Sequence, residues 1–307
     1  MTHQHTEFHR PPGVQVTYRR VHLPFENKGF DRYWHGGSAF KSLFWAQLST
    51  SFEAGEKFFI DSARALKSHV QNQALLDEMN AFCKQEGHHT FQHLKFDRMN
   101  AAHGIATDTC EARYSWILNR VARRLSPIGM LAVTVALEHF TSTLAQQYLT
   151  QPQHAAGADP NVDALWRWHA VEETEHKATC YDIYRAAGGD YAHRAITMPI
   201  AWSIILGISL WNMLTLLRAD NRLFTRDTFR GLRYLFGRRG LVTGLLPAFF
   251  SFFSPRWYPW KDDNSDQIAR WLTDNEQYIE PRAQPAKRPR ARVNESQGPR
   301  VTAAART

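Results

Sequence analysis

Two segments of the chain place a glutamate three residues before a histidine, a spacing that directs both side chains to one face of a helix. The segment QEGHHTFQH contains Glu86 and His89, and the segment HAVEETEHK contains Glu173 and His176. At about 100° per residue, the two members of each pair lie within a narrow arc of the helix. Each pair therefore presents a carboxylate and an imidazole together, as the metal-binding helices of carboxylate bundles do.

A further histidine lies on each of these faces. His169 falls within an arc of roughly 60° with the second pair, and we predict that it is also a metal ligand. His93 lies one turn beyond the first pair and is either an additional ligand or a neighbour that supports one. In the second segment, Glu172 lies at the edge of the face. Glu175 points elsewhere, and we expect it to be exposed to solvent.

Two more glutamates interrupt otherwise apolar helical stretches, Glu56 in FEAGEKFF and Glu138 in VALEHFTS. A charged carboxylate is costly to bury unless a cation offsets it. In chain order the four segments supply Glu, Glu-x-x-His, Glu and Glu-x-x-His, the ligand set of two-metal carboxylate bundles. The predicted metal ligands are Glu56, Glu86, His89, Glu138, His169, Glu173 and His176. Oxygen-rich sites with some imidazole suit iron or manganese, so we expect two divalent metal ions, with iron favoured over manganese.

The spacing of these residues predicts how the helices connect. Glu86 follows Glu56 by 30 residues and Glu173 follows Glu138 by 35, which suits two antiparallel helical hairpins. The 52 residues from Glu86 to Glu138 suit a longer crossover between the hairpins. The ligands would then converge in the centre of a bundle.

Apolar residues recur at three- and four-residue steps through most of the chain, which predicts helices. Ser38 can cap the first helix, Pro127 suits the first turn of the fourth, and Gly188-Gly189 ends the fifth. The predicted helices span residues 40–66, 74–100, 109–124, 127–149 and 163–187. No run of alternating apolar and polar residues is long enough for a convincing strand, so we predict an all-α fold.

Four regions follow from this pattern. Residues 1–37 form an irregular N-terminal arm, and residues 38–188 form the helical bundle that holds two metals. Residues 189–280 form apolar C-terminal helices that either pack on the bundle or associate with a membrane. Residues 281–307 form a disordered basic tail.

Composition narrows the classes of function. A chain of 307 residues with 43% hydrophobic residues can bury a large core. The formal net charge is +8, but the 281–307 tail holds seven Lys and Arg against one Glu and so supplies six of these charges. The rest of the chain is close to neutral, and nucleic acid is not a predicted partner.

The cysteines and the N-terminus bear on location. Cys83, Cys110 and Cys180 are odd in number and lack the CxxC spacing of zinc ribbons, which favours a reducing cytoplasm. The first residues, MTHQHTEFHRPPG, contain no apolar run after a basic start, so no secretory signal is predicted.

One segment is apolar enough to raise the question of a membrane. Residues 195–217 run for 23 positions without a charge, between Arg194 and Arg218. Three interpretations stay open: a buried or homodimer-interface helix, attachment to a membrane surface, and a membrane span. The second interpretation would make the protein peripheral at the inner membrane.

The stretches FEAGEKFF, FCKQEGHHTFQH, ALEHFTS and WRWHAVEETEHKATCYD resemble a bacterial family known as predicted metal-dependent hydrolases, which belongs with the ferritin-like proteins. The resemblance covers roughly residues 40–187, and more loosely the apolar stretch that follows. It implies a ferritin-like four-helix bundle, a metal site and a hydrolytic enzyme, in which metals lower the pKa of bound water.

The segment from His169 to His176 is also similar to the last ligand helix of two-iron arylamine N-oxygenases, which add a histidine to the basic ligand set. This second resemblance implies that the seven ligands hold two irons and that the chemistry is O2-dependent oxidation. The substrate we expect under either chemistry is small and apolar, or lipid-like. The alternative is a ferritin-like protein without catalytic activity that binds iron or associates with a membrane.

Overall fold

A computed structural model of the chain describes residues 10–280, so residues 1–9 of the predicted arm and the predicted tail 281–307 lie outside the described residues. The helices are α1 (Phe25–Lys28), α2 (Ala39–Ala65), α3 (Gln73–Ala102), α4 (Thr107–Ala122), α5 (Pro127–Thr150), α6 (Pro160–His176), α7 (Thr179–Ala186), α8 (Tyr191–Ala219), α9 (Arg226–Phe236), α10 (Leu246–Ser251) and α11 (Ser265–Asp274). Within residues 10–280 the only extended pairings are two isolated β-bridges, and no strand forms. The predicted all-α fold is confirmed.

Short polar side chains begin the four long helices that carry the predicted ligands. Ser38 accepts a hydrogen bond from a backbone N–H in the first turn of α2, and Asn72 accepts two at the start of α3. Ser126 caps α5, where Pro127 occupies the first turn, and Asp159 caps α6. These caps satisfy backbone donors that a helix leaves free at its start, and they fix where each helix begins.

The four ligand-bearing helices surround a common interior. α2 packs along α3, α5 packs along α6, and α2 also contacts α5. α3 contacts α6 and α7, while α4 and α8 cover the outer side of α2 and α5. Large side chains such as Trp45, Phe82, Phe96, Leu131 and Trp168 are fully buried between these elements. Burial of an apolar side chain of this kind stabilises a fold by roughly 1.5–3 kcal/mol.

The single helix predicted over residues 163–187 is wrong, because the chain forms two helices, α6 and α7, with a break at Lys177. The ammonium group of Lys177 donates to the backbone oxygen of Asp262 at 2.9 Å and to the Asn264 side chain at 2.7 Å. Both acceptors come from the segment before α11. These tertiary hydrogen bonds accompany the departure from the helical path directly after the last predicted ligand.

The described part of the chain contains two helices, α5 and α8, that are long and apolar enough to cross a membrane. The apolar window of α5 is 67% buried, because α5 lies within the bundle. The corresponding window of α8 is only 33% buried. The apolar segment 195–217 is therefore a helix that packs on the bundle through one side and leaves its other side uncovered.

Candidate metal centre

Seven buried side chains from α2, α3, α5 and α6 converge in the interior of the fold. They are Glu56, Glu86, His89, Glu138, His169, Glu173 and His176. They form three overlapping groups, and within each group the possible ligand atoms lie within 4.8 Å of one another. The structure therefore brings together all seven residues of the predicted ligand set. Metal binding by these residues stays a prediction.

The histidine rings direct one nitrogen each toward the carboxylates. His176 Nε2 lies 3.0 Å from Glu86 Oε1, and His169 Nε2 lies 2.9 Å from Glu173 Oε1. His89 Nδ1 lies 3.9 Å from an oxygen of three different glutamates. Three imidazole nitrogens thus face the same small volume as the four carboxylates.

The opposite nitrogen of two of these rings is held by a polar side chain. His89 Nε2 lies 3.1 Å from Glu172 Oε2, and His176 Nδ1 lies 3.0 Å from Gln85 Oε1. Where the carboxylate and the amide oxygen accept these hydrogen bonds, each outer nitrogen carries the hydrogen. In a neutral ring the inner nitrogen then keeps its lone pair, which is the form of imidazole that binds a metal.

The third ring, His169, is held by His93. His169 Nδ1 lies 2.7 Å from His93 Nε2, and His93 Nδ1 lies 2.8 Å from Ser49 Oγ. If His169 Nδ1–H donates to His93, then His93 carries its own hydrogen on Nδ1 and donates it to Ser49. His93 belongs to none of the three ligand groups found among residues 10–280. Of the two roles predicted for His93, its contacts fit the support of a ligand.

The expectation that Glu175 is exposed to solvent is wrong. Glu175 is 1% exposed, and its Oε2 accepts hydrogen bonds from Arg19 and from Gln85, each at 2.9 Å. Arg19 also lies 3.7 Å from Glu172, which is fully buried. Arg19 therefore supplies the positive charge that these two buried glutamates require. Arg19 and Glu175 are 156 residues apart along the chain, so no local spacing indicates that they pair.

The carboxylates repel one another in this buried site. Burial raises the pKa of Glu56, and the neighbouring Glu86 raises it further. Burial also raises the pKa of Glu86 and of Glu138. Burial alone would lower the pKa of His176, but the surrounding carboxylates raise it overall. A bound cation would offset both the burial and the mutual repulsion of these carboxylates and so favour their charged form.

Several buried polar atoms of the cluster have no hydrogen-bond partner, as expected of atoms that bind a cation. Both carboxylate oxygens of Glu86 and of Glu138 are buried without a hydrogen-bond partner, and so is one oxygen each of Glu56 and Glu173. His176 Nε2 is also buried without a hydrogen-bond partner, although it lies close to Glu86. Buried polar atoms without partners are rare in folded proteins and call for a ligand. The four carboxylates of the cluster carry a charge that two divalent ions would balance.

An apolar cavity adjoins the cluster between α2, α5 and α6. Its wall includes the carboxylates of Glu56 and Glu173 and the ring of His169. The remaining lining is almost entirely apolar and includes Trp45, Leu48, Phe52, Phe59, Leu137, Phe140, Leu144, Ala145 and Trp166. The unfilled space, counted out to its opening, is about 740 Å³. Its apolar lining suits an apolar group placed beside the cluster.

One known protein family matches most of the chain. No curated protein and no solved structure matched it. The sequence model of one protein family, described as predicted metal-dependent hydrolase, matches residues 17–263. The match begins before Arg19 and ends after α10, so it includes all seven side chains of the cluster. Because it covers well over half of the 307 residues, the chain belongs to the family of predicted metal-dependent hydrolases.

Proposed function

We propose that this protein is an enzyme with two divalent metal ions, iron in preference to manganese, held in a ferritin-like four-helix bundle. The observation that carries the proposal is the orientation of the three histidines. Each points one ring nitrogen at the carboxylates and has the other nitrogen tied by Glu172, Gln85 or His93. Such support is typical of metal-bound imidazole, and a chance cluster of polar residues does not require it.

The cavity beside the cluster favours an organic substrate over simple iron storage. A storage protein needs no apolar chamber next to its metals, whereas an enzyme must hold a substrate there and keep water out. The Phe52 ring packs against the His169 ring, with 4.5 Å between the centroids, and adds an apolar surface to the cavity beside the cluster. We infer a substrate that is apolar where it approaches the metals.

Bound metals of this kind supply either O2 activation or an activated water. We favour oxidation, because the cavity lining is almost entirely apolar apart from the cluster itself. Such a lining suits an apolar substrate. Hydrolysis is the second candidate, and membership in the family described as metal-dependent hydrolases favours it. In both cases Glu56, His169 and Glu173 form the wall that the substrate faces.

Metal analysis of protein purified without oxygen tests the proposal. We expect roughly two irons per chain, as in other two-metal carboxylate bundles. Glu56→Gln should remove most of the bound metal, because it replaces a carboxylate in the cluster by a neutral amide. Glu53→Gln is the matched control. It lies on the same helix, is only half-buried and belongs to none of the ligand groups. Equal metal content in the two variants would refute the proposed site.

Oxygen dependence separates the two chemistries. Under oxidation, the reduced protein should consume O2 and change its optical spectrum. Under hydrolysis, it should cleave apolar esters equally well with and without O2. Ester cleavage that persists without O2, in protein that contains zinc, would rule out the oxidation that we favour.

A further inference from the structure

A second cavity lies next to the one at the metal centre. Leu118 of α4, Leu137 of α5 and Ile205 of α8 line both cavities, so these three side chains form the wall between them. The unfilled space of the second cavity, counted out to its opening, is about 850 Å³. Leu118 and Ile205 are only half-buried. Rotation of a few apolar side chains would join the two cavities into one apolar passage that ends at the metal centre.

The outer cavity is an apolar groove with two positive charges. Besides the shared wall residues, its lining consists largely of apolar side chains, Ile200 and Ile204 among them, together with Arg120 and Arg124. Arg120 is half-buried and lies over the Trp116 ring at 4.8 Å, while Arg124 is exposed. No acidic side chain lines this groove. A ligand with a hydrocarbon chain and an anionic head group matches this arrangement.

The groove opens on the uncovered side of α8. Ile196, Ile200 and Ile204 recur every four residues along this side, and they are 64%, 55% and 36% exposed. Ile200 and Ile204 also line the groove. Further along the same helix, Leu210, Trp211 and Leu214 are exposed as well. An exposed apolar surface of this length marks a site of interaction with a partner or a membrane.

The chain that follows α8 is strongly basic. Residues 218–239 carry seven Arg against two Asp. In this stretch α9 exposes Phe229, Leu232 and Phe236, while Gly231 and Leu235 face the protein. A helix with arginines beside an exposed apolar stripe is typical of segments that lie in the interface of an anionic membrane.

We propose that α8 and α9 dock on an anionic lipid surface, and that the groove between α4 and α8 admits one acyl chain of a membrane lipid toward the metal centre. The chemistry at the end of the passage rests on the proposed function. The docking and the entry of the chain do not, because they use side chains outside the ligand cluster.

Two other occupants of this surface fit less well. A membrane span would pull α8 away from the bundle, yet Arg113 of α4 donates to the side chains of Asn212 and Thr215, both at 2.9 Å. A second copy of the chain that covered both α8 and α9 in a twofold contact would place the same arginine-rich segment on each side of the interface. The lipid surface supplies the negative charge that these arginines lack.

Flotation of the full-length protein with vesicles tests the docking. We expect it to bind vesicles that contain phosphatidylglycerol much more strongly than vesicles of phosphatidylcholine alone, and to bind less at high salt. The double variant Ile200→Glu, Ile204→Glu should lose binding by at least about tenfold, because each carboxylate opposes insertion. Phe91→Glu on α3 is the matched control, since Phe91 is 52% exposed and lies on a helix outside this surface.

Wild-type protein that stays unbound, or a dimer that the double variant separates without any effect on vesicles, would overturn the docking. Metal content is measured in every sample. Docking that fails while metals are retained would contradict this inference alone, whereas intact docking without metals would contradict the proposed function alone.

Quenching by phosphatidylglycerol with brominated acyl chains tests the entry of the chain. Trp166 lines the inner cavity and is 5% exposed, so bromine bound at the surface should not reach it. The contribution of Trp166 to the fluorescence is the emission that is lost in Trp166→Phe. We expect the brominated chains to quench this contribution strongly. Ala145→Phe, which fills the inner cavity, should protect this emission and leave vesicle binding unchanged. Bound vesicles that never quench Trp166 would show that no chain enters.

Discussion

At the scale of single residues, the site depends on side chains that hold the histidines as much as on the predicted ligands. Gln85 is the clearest case, because its amide joins two partners. Its oxygen accepts from His176, and its nitrogen donates to Glu175 at 2.9 Å. One side chain thus fixes the ring of a predicted ligand and connects it to the buried ion pair of Arg19.

Gln85→Met should therefore weaken metal binding without removing a ligand. Methionine has a similar length but cannot fix the His176 ring, and loss of such a contact typically costs about 10–100-fold in metal affinity. Competition with a chelator measures this change. Gln71→Met, at an exposed position before α3, is the control. An unchanged affinity in Gln85→Met would show that the His176 ring needs no support.

Arg19→Met should destabilise the fold, because it leaves Glu172 and Glu175 buried without their cation. Removal of one partner from a buried ion pair typically costs about 3–5 kcal/mol, and we expect the lower end because Arg19 is 13% exposed. Urea denaturation measures the loss. Arg20→Met is the matched control, since Arg20 is 64% exposed and should cost little. Similar losses in both variants would contradict the ion pair.

The residue types and their spacing were enough to predict all seven side chains that converge. They could not predict Arg19, Ser49 or Gln85, because each of these meets its partner through tertiary packing. Glu175 was misjudged for the same reason. Helical geometry correctly turned it away from the ligands, but the N-terminal arm covers the side of α6 to which it points.

At the scale of helices, the packing of α9 on α2 depends on one small residue. A Cβ atom on Gly231 would lie 2.0 Å from the ring of Phe40, which is 2% exposed. Gly231→Ala should therefore destabilise the protein by about 1–3 kcal/mol through overpacking. Thermal denaturation measures this.

Gly207→Ala gives the opposite expectation and serves as the control. Gly207 lies within α8, and a Cβ atom there would meet nothing within 4 Å. Alanine in a helix is favoured over glycine by roughly 0.5–1 kcal/mol, so this variant should gain stability. If Gly231→Ala were also stabilising, α9 could not lie against α2 as described.

The loop before α2 should make stability depend on pH. Burial, together with the nearby positive charge of Lys41, lowers the pKa of His35 to about 4. His35 is fully buried, and its Nε2–H donates to the backbone oxygen of His154 at 2.8 Å. Between about pH 6.5 and pH 4 the unfolded chain therefore binds a proton at His35 that the folded chain does not, and stability falls as pH falls.

His35→Gln should reduce this dependence by up to about 1.4 kcal/mol per pH unit in that window. Urea denaturation at several pH values measures the slope in both proteins. Above pH 7.5 the two curves should be parallel, because His35 is then neutral in both states. Parallel curves between pH 6.5 and pH 4 would contradict the buried neutral histidine.

Periodicity and capping residues predicted the helices closely. Ser38 and Pro127 begin α2 and α5 as expected. The break between α6 and α7 was missed, because no glycine or proline marks it and the contact that accompanies it joins Lys177 to a segment about 85 residues away. Local sequence indicates helix propensity, whereas such a contact depends on a distant partner.

At the scale of the whole molecule, the four central helices hold a charged cluster, and we propose that the outer helices determine how a substrate reaches it. α4 and α8 line the apolar groove next to the inner cavity, and α8 leaves its outer side uncovered. The N-terminal arm closes the opposite side through Arg19. An apolar substrate would therefore reach the metals from the α4 and α8 side.

Anomalous X-ray diffraction from crystals of protein loaded with iron tests the central claim most directly. Data collected on either side of the iron absorption edge should show two iron peaks per chain, both among the seven converging glutamates and histidines. Their absence from this site in iron-loaded crystals, or iron bound only elsewhere on the chain, would contradict the account.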